Sequence, residues 1–150
     1  MGLLDRPDGP NGRVTSWAFR CGADPAFRQI RTCRKIAAEI ARDWGHSAEV
    51  ADAAESIVAE LMANTMQHVP RAHPLGSVTL SEAGSGALVV SVHDCSRARP
   101  FRRVDEDAER GRGIALVAEL CRSLGGRLCV LPDWDGGGKS VQAFLGRADR

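Results

Sequence analysis

The sequence predicts an α+β fold, a two-layer sandwich in which a mixed, mostly antiparallel sheet carries helices on one face. Three observations predict it. Five short segments alternate apolar and polar residues as strands do, and three longer segments space their apolar residues three or four apart as helices do. Two pairs of strands are joined by short Gly-rich turns, which make antiparallel neighbours. The chain of 150 residues, 43% of them hydrophobic, has room for one compact core.

The N-terminal half predicts one strand and two helices. Val14–Arg20 alternates as a first strand. Asp24 and Pro25 predict a helix start, because Asp accepts a hydrogen bond at the N-cap and Pro is tolerated at the first helical position. This helix should end near Gly45, a residue type that suits a C-cap. A second helix is capped by Ser47 and has an apolar stripe at Val50, Ala54, Ile57, Leu61 and Thr65.

The C-terminal half predicts two hairpins separated by a loop and a helix. Ser77–Ser81 and Ala87–His93 alternate on either side of a Gly-Ser-Gly turn, which is the pattern of a β-hairpin. Cys95–Gly111 shows no periodicity and predicts a long mobile loop. The last helix and the second hairpin are predicted at Ile114–Leu124, Arg127–Leu131 and Lys139–Leu145.

Composition bounds the kind of protein. Residues 1–13 are rich in Gly, Pro and Asp and predict a disordered lead-in to a single domain at residues 14–146. No apolar run reaches the roughly 20 residues that span a bilayer, and the lead-in has no hydrophobic stretch of signal-peptide length. We therefore expect a cytoplasmic protein without membrane contact. The five cysteines are scattered without a Cys-x-x-Cys pair, which predicts reduced core residues and not a zinc site.

The charge balance argues against a nucleic-acid coat. Lys and Arg number 20 against 19 Asp and Glu, a net charge of +1. The basic residues are almost all arginines, since Lys35 and Lys139 are the two lysines. One local basic run remains, which could meet phosphate or an acidic partner, or simply form a solvated loop. Its members are Arg97, Arg99, Arg102 and Arg103.

The second helix carries the first candidate site. Glu60 and Asn64 are four residues apart, so they stack on one side of the helix, and His68 follows one turn later. These groups lie on the partly buried edge of the apolar stripe, where burial costs a few kcal/mol unless a partner satisfies them. A ligand with a metal ion would do so. The alternative is that Glu60 and Asn64 cap or bridge neighbouring elements. The spacing alone favours this alternative.

Two further features lie on the C-terminal side of that helix. Asp94 follows an apolar strand and precedes the long loop, where it could accept a hydrogen bond from a base amino group or start a turn. Gly111, Arg112 and Gly113 stand at the start of the third helix. Glycines permit close backbone approach, and free N–H groups at a helix start favour phosphate. Neither a Walker nor a Rossmann fingerprint occurs.

The candidate residues come in a set order along the chain: Glu60, Asn64, Asp94, Gly111, Arg112 and Gly113. This order resembles that of the histidine-kinase-like (GHKL, Bergerat-fold) ATPases. Within them the chain is most similar to the small stand-alone branch of anti-sigma factors and serine-protein kinases, whose last strand resembles Gly138–Phe144. The resemblance covers nearly the whole chain.

The resemblance implies a role for each residue. Asn64 would coordinate a Mg²⁺ ion that bridges the ATP phosphates, and Glu60 would activate the attacking hydroxyl or water. Asp94 would accept the adenine amino group. The segment Gly111–Gly113, Arg112 included, would bind the nucleotide and let the preceding loop close as a lid.

Two functions remain open at this point. The first is an ATP-dependent kinase that phosphorylates a Ser or Thr of an anti-anti-sigma (STAS) antagonist and sequesters a sigma factor, with a homodimer implied by the resemblance. The second is a non-catalytic partner-binding module with weak or no ATP binding. Asp94 is followed by Cys95-Ser-Arg-Ala-Arg-Pro100, whereas the family often has Asp-x-Gly-x-Gly. That departure motivates the second.

Overall fold

The structure, a computed structural model, describes residues 12–21, 26–68, 75–96 and 112–146. Several predictions lie outside these residues: the Asp24–Pro25 cap, most of the lead-in, the arginine run and Gly111. The side chains of His68 and Arg112 also lie outside the described part.

The described residues form five strands and three helices. In chain order they are β1 (Val14–Arg20), α1 (Ala26–Asp43), α2 (Ala48–His68), β2 (Leu75–Glu82), β3 (Leu88–Asp94), α3 (Arg112–Ser123), β4 (Arg127–Pro132) and β5 (Lys139–Leu145). None of these helices is long and apolar enough to cross a membrane.

The sheet has the strand order β1-β2-β3-β5-β4, and every described pairing is antiparallel. The predicted α+β sandwich is confirmed, but the sheet is antiparallel where the sequence predicted a mixed one. The reason is the position of β5. The chain leaves β3, passes through α3 and returns as β4 in the same direction as β3. Because β5 inserts between these two strands, they never pair with each other.

Local signals set the helix ends. The Ser47 cap is confirmed, since the Ser47 hydroxyl accepts a hydrogen bond from the backbone N–H of Val50 at 3.2 Å. Gly45 has a φ of +88°, a backbone angle that residues with a side chain adopt only with strain. This glycine therefore ends the α1 segment, as predicted. The first hairpin differs slightly from prediction: β2 is longer at both ends, and β3 includes Asp94 as its last residue.

One core joins the helices to one face of the sheet. Alternate residues of β3 and β5 point into it, and the α2 residues Ile57 and Leu61 pack above them, as the apolar stripe predicted. The inward positions of β3 are Leu88, Val90, Val92 and Asp94, and those of β5 are Lys139, Val141, Ala143 and Leu145. The inward-facing residues of β3 therefore end with Asp94, and those of β5 begin with Lys139, at the same end of the two strands.

Candidate functional site

A buried ion pair lies where β3 ends and β5 begins. Asp94 and Lys139 are direct cross-strand partners. The Lys139 ammonium donates to Asp94 Oδ1 at 2.9 Å and to Oδ2 at 3.2 Å, and it also donates to the Ser96 carbonyl oxygen at 3.2 Å. Asp94 is 2% exposed and Lys139 is 5% exposed. A fully buried charge is tolerated only when it is paired and hydrogen-bonded, as both of these are.

Two more donors complete the surroundings of the Asp94 carboxylate. The Thr65 hydroxyl on α2 donates to Oδ2 at 3.3 Å, and the backbone N–H of Ser96 donates to Oδ1 at 2.8 Å. The Ser96 bond is that of an Asx turn, so Asp94 also has the turn-forming role that the sequence left as an alternative. A carboxylate offers about four acceptor positions. With two donors on each oxygen, those positions are filled.

Gly138 brings the two strands close enough for this pairing. A Cβ at this position would collide with the Asp94 carbonyl oxygen and would lie 3.0 Å from the Cys95 Cα. Glycine is therefore the residue that lets the start of β5 pack against the end of β3. The turn before β5 is also held from the outer face, since His93 Nε2 lies 2.9 Å from Asp133 Oδ2.

Glu60 lies on α2 against the first turn of α3. A Cβ built on Gly113 would be 2.6 Å from Glu60 Oε2, so a larger residue there would require the end of the Glu60 side chain to move. The structure thus brings together Glu60 and Gly113, two of the residues that the sequence singled out. The N-terminal end of α3 carries partial positive charge, which favours a carboxylate beside it.

Asn64 follows Glu60 by one turn on the same edge of α2. Both side chains are half-buried, and neither makes a hydrogen bond or ion pair with the described part of the chain. The capping or bridging role that spacing favoured is thus not seen among the described residues. The Asn64 amide oxygen is a hard donor of the kind that Mg²⁺ takes, and this ion is usually held by one or two protein oxygens together with phosphates and water. The metal-binding side of the site therefore fits.

The adenine side of the site fits less well. Thr65 neighbours Asn64 on α2 and contacts Asp94, so α2 links the two halves of the candidate site. The Asp94 oxygens, however, are already used by donors of the chain itself. No group of three His, Cys, Asp or Glu residues that could hold a metal ion occurs within the described ranges.

Sequence reasoning missed Lys139 and Thr65 as partners of Asp94. A signal for Lys139 was present, because a lysine occupies an inward position of an otherwise apolar strand and must find a carboxylate there. Thr65 was noted only as a member of the apolar stripe. Its 3% exposure and its hydroxyl require a hydrogen-bond partner.

The buried cysteines are held as thiols. Burial raises the pKa of Cys21, and electrostatic interactions with Asp94 and Cys95 raise it further. Burial raises the pKa of Cys121 to about 11. Cys21, Cys33 and Cys121 are buried, as predicted for small core residues, and all five cysteines are free.

Comparisons with known proteins identify the family. The model of the histidine kinase-like ATPase domain matches residues 22–141. No curated protein matches the sequence. Among solved structures, the RsbU and RsbW domains of Rv1364c from Mycobacterium tuberculosis match with a TM-score of 0.56 and 14% identity, covering 91% of this chain and 35% of that one. The histidine kinase domain of the Erythrobacter litoralis EL346 blue-light activated histidine kinase matches with a TM-score of 0.50 and 23% identity, covering 81% of this chain and 60% of that one.

These likenesses to solved structures concern the fold, and the chain spans about a third and about three fifths of the two solved chains. The family model, in contrast, matches most of the sequence, including α2, β3 and α3 with the candidate residues they carry. The chain belongs to the histidine kinase-like ATPase domain family.

Proposed function

We propose that the chain is an ATP-binding regulatory domain of the anti-sigma type, which phosphorylates a Ser or Thr of a STAS-type antagonist. It holds a sigma factor while that antagonist is phosphorylated. The observation that carries the proposal is the position of Glu60, which lies against Gly113 at the start of α3 with no hydrogen-bonding partner in the described part of the chain. The sequence resemblance to anti-sigma kinases and the fold similarity to a chain with an RsbW domain support the finer assignment.

The proposed reaction is a direct phosphoryl transfer. The antagonist hydroxyl attacks the γ-phosphorus, the bond from that phosphorus to the β-phosphate oxygen breaks, and ADP leaves. Glu60 takes the proton of the attacking hydroxyl while the oxygen of that hydroxyl forms the new phosphoester bond. Bound Mg²⁺ supplies charge neutralisation, and Asn64 is the residue that would hold it. Such catalysis rests mainly on position and charge, and these two side chains share one rigid helix edge.

The proposal is tested by incubating the chain with γ-labelled ATP, Mg²⁺ and a STAS protein. We expect Glu60→Gln to lower transfer by about 10²-fold or more, because the general base is lost while the shape remains. Asn64→Ala should abolish the Mg²⁺-dependent part. Glu49→Gln is the matched control, since it makes the same chemical change at an exposed position in the first turn of α2. Transfer that persists unchanged in both site variants contradicts the proposal.

A second function is favoured by one specific observation. The Asp94 oxygens have two donors each, which leaves the carboxylate no position for an adenine amino group. A partner-binding module of the same fold, with weak or no ATP binding, accounts for this arrangement. Calorimetry decides between the two functions. No heat and no thermal stabilisation with ATP and Mg²⁺ favour the binding module, whereas saturable heat that depends on Asn64 favours the kinase.

A further inference from the structure

The buried ion pair bears on which nucleotide this site can select. Under the proposed function, on which this inference rests, Asp94 is the group that would recognise the exocyclic amino group of adenine. A hydrogen bond from that amino group needs an open acceptor position on one carboxylate oxygen. Lys139 takes one such position on each oxygen, at 2.9 and 3.2 Å.

A base amino group competes poorly with this lysine. The ammonium donates a charge-assisted hydrogen bond, which is stronger than a bond from a neutral amine. The lysine is also the cross-strand neighbour of Asp94, so strand pairing fixes it in place before any ligand arrives. Displacing it would leave a cation at a position that is 5% exposed, where an unpaired charge is strongly disfavoured.

We infer that Lys139 determines the base selectivity of this site. Its ammonium replaces the adenine amino group on Asp94, so a bound nucleotide is held through its phosphates and metal ion and the base is not read. Wild-type protein therefore binds ATP and GTP alike. Removing the ammonium frees one position on each oxygen, while Thr65 and the Ser96 N–H keep the carboxylate oriented. The freed positions then favour adenine over guanine bound in the same orientation, because guanine has a carbonyl at C6 where adenine has the amino group.

The first test compares the dissociation constants of ATP, GTP and tripolyphosphate, each with Mg²⁺, by titration calorimetry. For the wild type we expect ATP and GTP to agree within about threefold. Lys139→Thr, which suits a strand because Thr is β-branched, should bind ATP about tenfold more tightly than GTP, as expected for one recovered hydrogen bond of about 1.4 kcal/mol. Lys35→Thr removes the same charge from an exposed position on α1 and should behave as wild type.

The outcomes separate the inference from the proposed function. If wild type prefers ATP over GTP by tenfold or more and Lys139→Thr leaves that preference unchanged, nucleotide binding stands and the inference is overturned. If neither protein binds any of the three ligands, the proposed function fails and the inference with it. Should Lys139→Thr not fold because Asp94 loses its counter-charge, the wild-type ratio of the ATP and GTP dissociation constants and the labelling of the wild-type chain still test the inference.

A second measurement uses the wild-type chain without any substitution. Because the sequence has two lysines, mass spectrometry after labelling with an amine reagent can follow each one separately. We expect exposed Lys35 to react quickly and Lys139 to stay unlabelled, both without nucleotide and with saturating ATP and Mg²⁺. Labelling of Lys139 that appears when ATP is added would show that the base displaces the ammonium, and would overturn the inference.

Discussion

Two buried carboxylates lie at opposite ends of the β2–β3 hairpin and are treated differently by the fold. Asp94 has an ammonium, a hydroxyl and a backbone N–H around it. Glu82 is 5% exposed, yet it has one partner, His46 Nε2 at 3.1 Å from Oε1, and its Oε2 has none in the described part of the chain. The His46 ring is charged only when protonated. The fold thus neutralises the Asp94 carboxylate at the candidate site, whereas only one of the two Glu82 carboxylate oxygens has a hydrogen-bond partner in the described part of the chain.

The two ends of the hairpin differ in how far their stability depends on charge pairing. At the Asp94 end, removing either Asp94 or Lys139 leaves the other as an unpaired buried charge. At the Glu82 end, the carboxylate already has an unsatisfied oxygen, so less is lost when it changes. Substitutions at the two ends should therefore differ in their effect on the free energy of unfolding.

The largest effect is expected for Asp94→Ala. The substitution leaves the Lys139 ammonium buried without a carboxylate and should lower the free energy of unfolding by about 3–5 kcal/mol. Urea unfolding followed by circular dichroism measures it. The double variant Asp94→Ala with Lys139→Met should recover a large part of the loss, because no unpaired charge then remains. A double variant as unstable as the single one contradicts the ion-pair interpretation.

Gly138→Ala should be the next most destabilising change, at about 1–3 kcal/mol. Its new methyl group would meet the Asp94 carbonyl oxygen, so β5 must move away from β3 and the ion pair must lengthen. Gly137→Ala is the matched control, because its methyl group would meet only the Asp135 carboxylate, at 3.0 Å in an exposed turn. Thermal unfolding should separate the two variants, and equal melting temperatures would contradict the close approach.

Glu82→Gln should change the free energy of unfolding by about 1 kcal/mol or less. The amide keeps a hydrogen bond to His46 and removes a buried charge that lacks a second partner. The same urea experiment measures the change. A loss as large as that of Asp94→Ala would erase the contrast between the two ends of the hairpin.

The smallest effect concerns thiol reactivity, which reports on the core without a substitution. With the pKa of Cys121 raised to about 11, its thiolate fraction at pH 8 is about 10⁻³, so a disulfide reagent should modify it slowly. Half-buried Cys95 and Cys129 should react first. The raised pKa also means that the Cys121 contribution to stability is complete below pH 9 and declines between pH 9 and about 11. Modification of Cys121 as fast as Cys95 at pH 8 would contradict its burial.

The sequence predicted well what depends on local pattern. Strand alternation and the Ser47 cap are properties of a few consecutive residues, so the elements were found within one or two residues at most ends. The family resemblance assigned Glu60 and Gly113 to one nucleotide site, and the two residues lie together in the structure. The partner of Asp94 did not, because Lys139 is 45 residues away and a local pattern does not say which strand inserts beside β3. The same unforeseen insertion of β5 made the sheet antiparallel throughout.

The position of Lys139 in the last described strand has a consequence for folding. Asp94 cannot meet its counter-charge until β5 pairs with β3, and we expect this contact to form more slowly than a hairpin because it closes a longer stretch of chain. We therefore expect the Asp94 side of the candidate site to form only as the sheet is completed.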